Sequence, residues 1–274
     1  MKSLEIFTEK NKKSQKLKEV LRKYKSVLVA FSGGADSGFL LKAAMDFLGK
    51  EKVLAVTVKS ELIPGRKILE AKGMAERIGC KWEVLDFSLL SEDNLKRNPI
   101  NRCYLCKKII FKNLKKIAKK RGLKEVIEGT NVEDIKGYRP GLKAIKELNV
   151  KSPLLEVGFT KEEIRLLSRK LGLSSWNRPS FSCLATRFPY GERLTKKKLK
   201  KVEEAENLLI AKGFNQVRVR DYGKIARIEV LEKDFDKIFS QRESIISSFK
   251  RIGYQYVTLD LEGYRSGSMD IEFK

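Results

Sequence analysis

Ser32-Gly33-Gly34-Ala35-Asp36-Ser37 sits between a short apolar run and a helix-like pattern. Two adjacent glycines permit a tight turn and let backbone N–H groups approach an anion. A helix N-terminus directly after them adds its dipole. Ser32 and Ser37 can donate hydroxyl hydrogen bonds. Asp36 would repel a bare phosphate, but it suits a Mg²⁺ ligand. The stretch lacks the Gly-Lys-Ser/Thr ending of the common nucleotide-hydrolase loop. It reads as a phosphate cradle of another kind. The plainer alternative is a Gly-rich turn with Ser or Asp as a helix cap.

The second chemical feature is sulfur. The chain has four cysteines, Cys80, Cys103, Cys106 and Cys183, and no histidine. Acid–base work would therefore fall to Asp, Glu, Lys, Tyr or Cys. Cys103-Tyr104-Leu105-Cys106 is a CxxC, and Cys183 lies far away in an irregular stretch. Three thiolates without histidine suit a 4Fe-4S cluster with one iron left open. They could equally hold zinc with water or a carboxylate, or be two core cysteines and an unrelated loop thiol. Arg178 and Arg187 are close to Cys183 in sequence, and cations favour thiolate, the nucleophilic form. Cys80, before an apolar run, reads as core.

These residues need a frame. "SVLVAF" (26–31), "VLAVTV" (53–58), "WEVLDF" (82–87) and "EVIEG" (125–129) read as strands. Helical patterns at 5–23, 37–48, 66–78 and 104–121 alternate with them. The expected fold is α/β, a doubly wound parallel sheet. Ligands in such sheets bind at the carboxyl ends of strands, where the Ser32–Ser37 loop and Gly129-Thr130-Asn131 both fall. Thr160 and Glu163 form a capping-box pattern before another helix. Residues 173–195 then break all periodicity, as functional loops do. Beyond them, a helix (196–212), a hairpin around Tyr222-Gly223, a helix (234–251) and a strand (254–263) form a smaller α+β module. The expected division is 1–172, a 173–195 active-site loop, and 196–274.

The net charge is +24, with 42% hydrophobic residues in 274. That composition supports a folded core. The charge points either to anionic partners or to a Lys-rich surface of the heat-adapted kind. No apolar run reaches the roughly 20 residues of a membrane span. The N-terminal "MKSLEIFTEKNKKSQKL" lacks a signal-like apolar core, so a cytoplasmic protein is expected.

The loop resembles the signature of the PP-loop ATP pyrophosphatases, and "EGTNVED" (128–134) resembles their second nucleotide segment. The resemblance implies that Ser32, Gly33, Gly34, Asp36, Ser37, Gly129, Thr130, Asn131 and Asp134 bind ATP with Mg²⁺, and that pyrophosphate is the leaving group. With "NPINRCYLCKK" (98–108), "SWNRPSFSCLATRFPYGERLT" (175–195) and "RVRDYGKIARIEV" (218–230), nearly the whole chain resembles the LarE family of ATP-dependent sulfur transferases in nickel-pincer cofactor synthesis. That resemblance implies adenylation of a carboxylate of pyridinium-3,5-biscarboxylic acid mononucleotide, then thiocarboxylate formation. Asp36 and Cys183 would be the catalytic residues. Sulfur would be carried by a 4Fe-4S cluster on Cys103, Cys106 and Cys183, or given up by Cys183 itself. Arg187, Arg218 and Arg220 would hold the substrate phosphate or AMP, and Glu206 a metal or substrate, unless it is an exposed helix glutamate. The expected partner is a small-molecule nucleotide, with the sulfur donor open, no membrane, and a homo-oligomer. The rival readings are a tRNA thiolation enzyme, favoured by the charge, and an amidating ATP pyrophosphatase. A cluster- or nucleotide-binding scaffold is the non-enzymatic alternative.

Overall fold

The computed structural model describes residues 12–136, 139–178, 181–265 and 267–269. The start of the expected 5–23 helix and the N-terminal signal reading lie outside the described residues, as do positions 179 and 180 of the 173–195 loop. The chain divides into two compact units: Met1–Phe87 with Asn101–Phe181, and Ser88–Ile100 with Ser182–Lys274. The change of unit inside the aperiodic loop thus comes between Phe181 and Ser182. Residues 88–100 belong with the C-terminal part, an excursion that chain order alone does not reveal.

The first unit is built on four parallel strands in the order β3-β2-β1-β4: β1 (Val27–Ala30), β2 (Val53–Lys59), β3 (Lys81–Asp86) and β4 (Glu125–Ile127). Parallel pairing requires crossovers, and helices supply them. Those between strands are α2 (Ala35–Leu48), α3 (Gly65–Ile78) and α5 (Arg102–Lys120); α1 (Lys12–Tyr24) precedes β1, and α6 (Gly141–Glu147), α7 (Pro153–Val157) and α8 (Lys161–Lys170) follow β4. The short helix α4 (Asp93–Lys96) lies in the 88–100 excursion.

Strand periodicity explains the two cores. Val27 and Val29 point to one face of the sheet with Val53 and Ala55, and pack with Leu17, Phe39, Leu40 and Ile164 from α1, α2 and α8. Leu28, Leu54 and Val56 point to the other, with Phe111 and Leu114 of α5 and Ile145 of α6. Both faces are covered, which is why the strands read as continuous apolar runs rather than alternating ones.

The second unit carries α9 (Lys196–Ala211), the antiparallel hairpin β5 (Val217–Tyr222) and β6 (Ile225–Val230), α10 (Phe235–Ser240), α11 (Arg242–Ile252) and β7 (Tyr256–Leu259), which pairs parallel to β6. Ala205, Leu209, Phe214, Val219, Ile228, Ile245 and Phe249 form its core. The single helix expected over 234–251 is two, separated at Gln241, whose N–H bonds Ile238 O three residues back. Ile238 and Ile245 are seven residues apart and face one core either way, so periodicity does not register the break. Among the described residues, no helix is long and apolar enough to cross a membrane.

The capping box opening α8 is present. Glu163 N–H donates to Thr160 Oγ1 at 3.2 Å, and Thr160 N–H donates to Glu163 Oε2 at 2.8 Å. Thr160→Ala should cost about 1 kcal/mol in a urea titration, with the slope unchanged, and Thr160→Ser should keep most of it.

Candidate functional site

The first unit gathers its polar residues at the carboxyl ends of β1 and β4. Phe31 prolongs β1: its N–H bonds Val56 O at 2.9 Å, and its carbonyl accepts from Thr57 Oγ1 at 2.8 Å. The chain then turns through Gly33, at φ +73, where an added Cβ would lie 3.0 Å from the Ala71 backbone of α3. Both facts require glycine there. The hydroxyls of Ser32 and Ser37 lie 3.0 Å apart. The N–H of Ser32 donates to Ser37 Oγ at 3.3 Å, and that of Gly34 to Ser32 Oγ at 3.4 Å. The first helical bond of α2 runs from Gly38 to Gly34, so Ala35, Asp36 and Ser37 present N–H groups without an intrahelical acceptor.

The segment after β4 meets this loop directly. A Cβ on Gly129 would stand 3.0 Å from Ser37 N and 3.1 Å from the Asp36 carbonyl carbon. The buried Glu128 carboxylate shapes the turn, accepting from Thr130 N (3.1 Å), Thr130 Oγ1 (2.8 Å) and Ser152 Oγ (2.5 Å). Thr130 therefore holds the turn through Glu128. Asn131 Oδ1 caps the short 3-10 helix Val132–Ile135, accepting from Glu133 N and Asp134 N, and Asp134 Oδ2 accepts from Asn131 N.

Electrostatics knit the site together. Burial raises the Asp36 carboxyl above its ordinary pKa, and the Asp134 charge raises it further. Lys161, Asn131 and Arg165 oppose this. Asp134 itself pairs with Arg139 (3.0 Å) and Lys161 (3.6 Å). Two mutually repelling carboxylates beside an anion cradle fit Mg²⁺, which binds through one or two carboxylates plus phosphate oxygens. Pattern reading missed Glu128, Arg139, Lys161 and Arg165. The only sequence signal for Lys161 was its place at the start of a capped helix.

The CxxC occupies the first turn of α5. Cys103 is exposed and Cys106 half-buried, neither in a disulfide, on one helix face. Tyr104 between them donates to Glu147 Oε2 at 2.8 Å and accepts from Lys108 Nζ at 2.7 Å, tying that turn to α6. Two thiols at this spacing and a third in the chain fit the donor set of a 4Fe-4S cluster. Among the described residues, neither unit by itself gathers three or more potential metal ligands. Cys80 packs against the first core, and burial pushes its thiol up to about 11. Arg178 pairs with Glu70 at 3.0 Å.

In the second unit, Cys183 caps a 3-10 turn, Leu184–Arg187. Asn98 of the 88–100 excursion is fully buried and donates to Ala185, Phe188 and Pro189 carbonyls. Arg187, Arg218, Arg220 and Glu206 are all buried, which corrects one reading: Glu206 is no exposed helix glutamate. Arg187 and Glu206, each 0% exposed, form a two-bond pair at 2.8 and 3.1 Å. Removing one member of such a pair typically costs about 3–5 kcal/mol. Arg220 forms a similar pair with Glu229 at 2.9 and 2.7 Å. Burial opposes ionisation of Glu229, but Arg220, Ser268 and Arg227 hold its carboxyl below the usual range. Arg218 lies over the Tyr264 ring; burial, then the neighbouring Arg187 charge, bring its guanidinium down to about 10.

The Asp36 shift has a sign. A carboxyl whose folded pKa is raised binds its proton more tightly in the native state, so its stability contribution falls as pH rises through the ordinary and then the raised pKa. Asp36→Asn should therefore raise the melting temperature of the ligand-free protein at neutral pH, with the gain vanishing below the carboxylate range. The same variant should lose most of the further rise that Mg²⁺-ATP gives the wild type.

The NAD synthase family model matches residues 9–136. An uncharacterized Synechocystis protein is 39% identical over 94% of this chain and 97% of its own length. The pyridinium-3,5-bisthiocarboxylic acid mononucleotide synthase of Lactiplantibacillus plantarum is 38% identical over 94% of each chain. A tRNA-specific 2-thiouridylase of Rickettsia typhi is 28% identical over 56% of this chain and 53% of its own. With a parallel sheet, a Ser-Gly-Gly turn at its carboxyl edge and a relative matched over 94% of each chain, the chain belongs to the LarE family of ATP-dependent sulfur transferases, within the PP-loop superfamily.

Proposed function

We propose that this enzyme activates a carboxylate of pyridinium-3,5-biscarboxylic acid mononucleotide by adenylation and converts it to a thiocarboxylate. A substrate carboxylate oxygen attacks the α-phosphorus of ATP, and pyrophosphate leaves. A sulfur nucleophile then attacks the acyl carbon, and AMP leaves with the oxygen that carried it. The observation that carries this reading is the contact of Gly129 with the Asp36–Ser37 backbone, which joins both nucleotide segments into one cradle.

The residues divide the work by their chemistry. Ser32, Gly33, Gly34 and Ser37 cradle the leaving pyrophosphate through N–H and hydroxyl groups. Asp36, with Asp134 beside it, holds Mg²⁺, and Lys161 and Arg165 offset the phosphate charge. Gly129, Thr130 and Asn131 shape the wall on the β4 side. Arg218, on β5 with burial and the Arg187 charge both lowering its pKa, would face the nucleotide phosphate. Cys103, Cys106 and Cys183 would hold a 4Fe-4S cluster, which supplies an open iron site able to carry sulfide. We favour that kind over sacrifice of the Cys183 sulfur because all three thiols are present.

ATP–pyrophosphate exchange with the biscarboxylate nucleotide tests the reading. Wild type should exchange, and Asp36→Ala should not, while its iron content stays at about four per chain after anaerobic reconstitution. Iron-free wild type that turns over once, with Cys183 losing the mass of its sulfur, would establish the sacrificial route. The tRNA reading keeps one supporting pair of facts, the 28% relative and the +24 charge. Steeply salt-dependent retention of tRNA would favour it.

A further inference from the structure

We propose that Arg187 and Glu206 are positioning residues that clamp the Cys183 turn to β5, rather than contacts for the substrate phosphate. The inference rests on the role just given to Cys183. Arg187 Nη1 lies within hydrogen-bond distance of four oxygens of that turn: Ser182 O (3.0 Å), Ser182 Oγ (2.7 Å), Cys183 O (3.1 Å) and Thr186 Oγ1 (2.7 Å). Cys183 O also accepts from Thr186 Oγ1 at 2.8 Å and Thr186 N at 3.1 Å. The Cys183 peptide is thus held from several directions.

The other side of the guanidinium is fixed as firmly. Its Nε and Nη2 donate to the two carboxylate oxygens of Glu206 on α9, and Glu206 Oε1 also accepts from Val219 N of β5 at 3.2 Å. A second bolt runs from Arg220 Nη1 to Thr186 O at 2.7 Å. Turn, helix and strand are therefore linked through charged hydrogen bonds at two points. An anion approaching Arg187 would have to displace a fully buried carboxylate or the turn itself. A buried pair of this kind carries a desolvation cost that well-packed apolar residues would avoid, and fixing one geometry is its best-attested use. Arg218, one residue before Val219, shares this frame, so the clamp also sets the thiol's place relative to that guanidinium.

The test uses the iron-chelated full chain for chemistry at the thiol and the reconstituted chain for turnover. Glu206→Gln keeps an acceptor for Val219 N but loses the charge. R187M/E206Q removes both charges together, so that no orphaned ion unfolds the unit. Folding is verified by melting curves and Mg²⁺-ATP binding. In folded variants, iodoacetamide alkylation of Cys183, read by peptide mass spectrometry against Cys80 as internal control, should change severalfold. Pyrophosphate exchange should persist, while thiocarboxylate formation falls on the order of 100-fold in kcat. Unchanged Cys183 alkylation in a folded R187M/E206Q chain would overturn the proposal. So would a raised KM for the nucleotide substrate at unchanged kcat, which would make Arg187 a substrate contact. If wild type forms no thiocarboxylate, the functional reading fails, and the alkylation rates alone still decide the clamp.

Discussion

A Cβ on Gly129 would stand 3.0 Å from Ser37 N, tighter than most side chains allow. That close approach exists because β1 and β4 are neighbours in a parallel sheet, so both chains leave it at the same edge. A phosphate loop needs exposed N–H groups, and a magnesium nucleotide needs carboxylates nearby without filling the anion's place. The glycine meets both needs by letting Asn131 and Asp134 come close while occupying almost no volume itself. Everything attributed to nucleotide chemistry follows from that arrangement. It brings the raised Asp36 carboxyl together with its opposing cations, and it depends on Glu128 to shape the return turn.

The second unit solves a different problem. It buries three arginines near one another, which would be untenable without compensation. Glu206 and Glu229 compensate two of them through paired hydrogen bonds. Arg218 lies over the Tyr264 ring and donates to Val217 O, and burial, then the Arg187 charge, draw its pKa down. Two guanidiniums are taken up in building the frame around Cys183. Charge-assisted hydrogen bonds suit the framing role because their geometry is directional, whereas apolar packing would allow the turn to settle in more than one way.

Much of this was legible in the residue order. Apolar runs alternating with helical periods point to the parallel sheet, and the Ser-Gly-Gly loop and the Thr160–Glu163 cap stand where pattern puts them. What sequence reading missed has a common cause. Lys161 and Arg165 reach Asp36 and Asp134 through tertiary contacts that no local spacing encodes, and Glu128 is fixed partly by Ser152, 24 residues on. The burial of Arg187 and Glu206 depends on α9 packing against β5, nineteen positions of sequence separating the pair itself. The 88–100 excursion joins the second unit through the buried Asn98 amide, held at φ +46, and through Lys96 O, which accepts from Leu194 N. The break at Gln241 leaves the seven-residue spacing of Ile238 and Ile245 intact, so it casts no shadow on the pattern.

The central claim is that ATP activates a carboxylate rather than donating a phosphoryl group. The most direct measurement follows the oxygen atoms. With the substrate carboxylates labelled with heavy oxygen, adenylation followed by sulfur displacement must leave one label on AMP for each thiocarboxylate formed, and none on pyrophosphate. Label-free AMP, or nucleotide leaving as ADP with label on phosphate, would contradict the account.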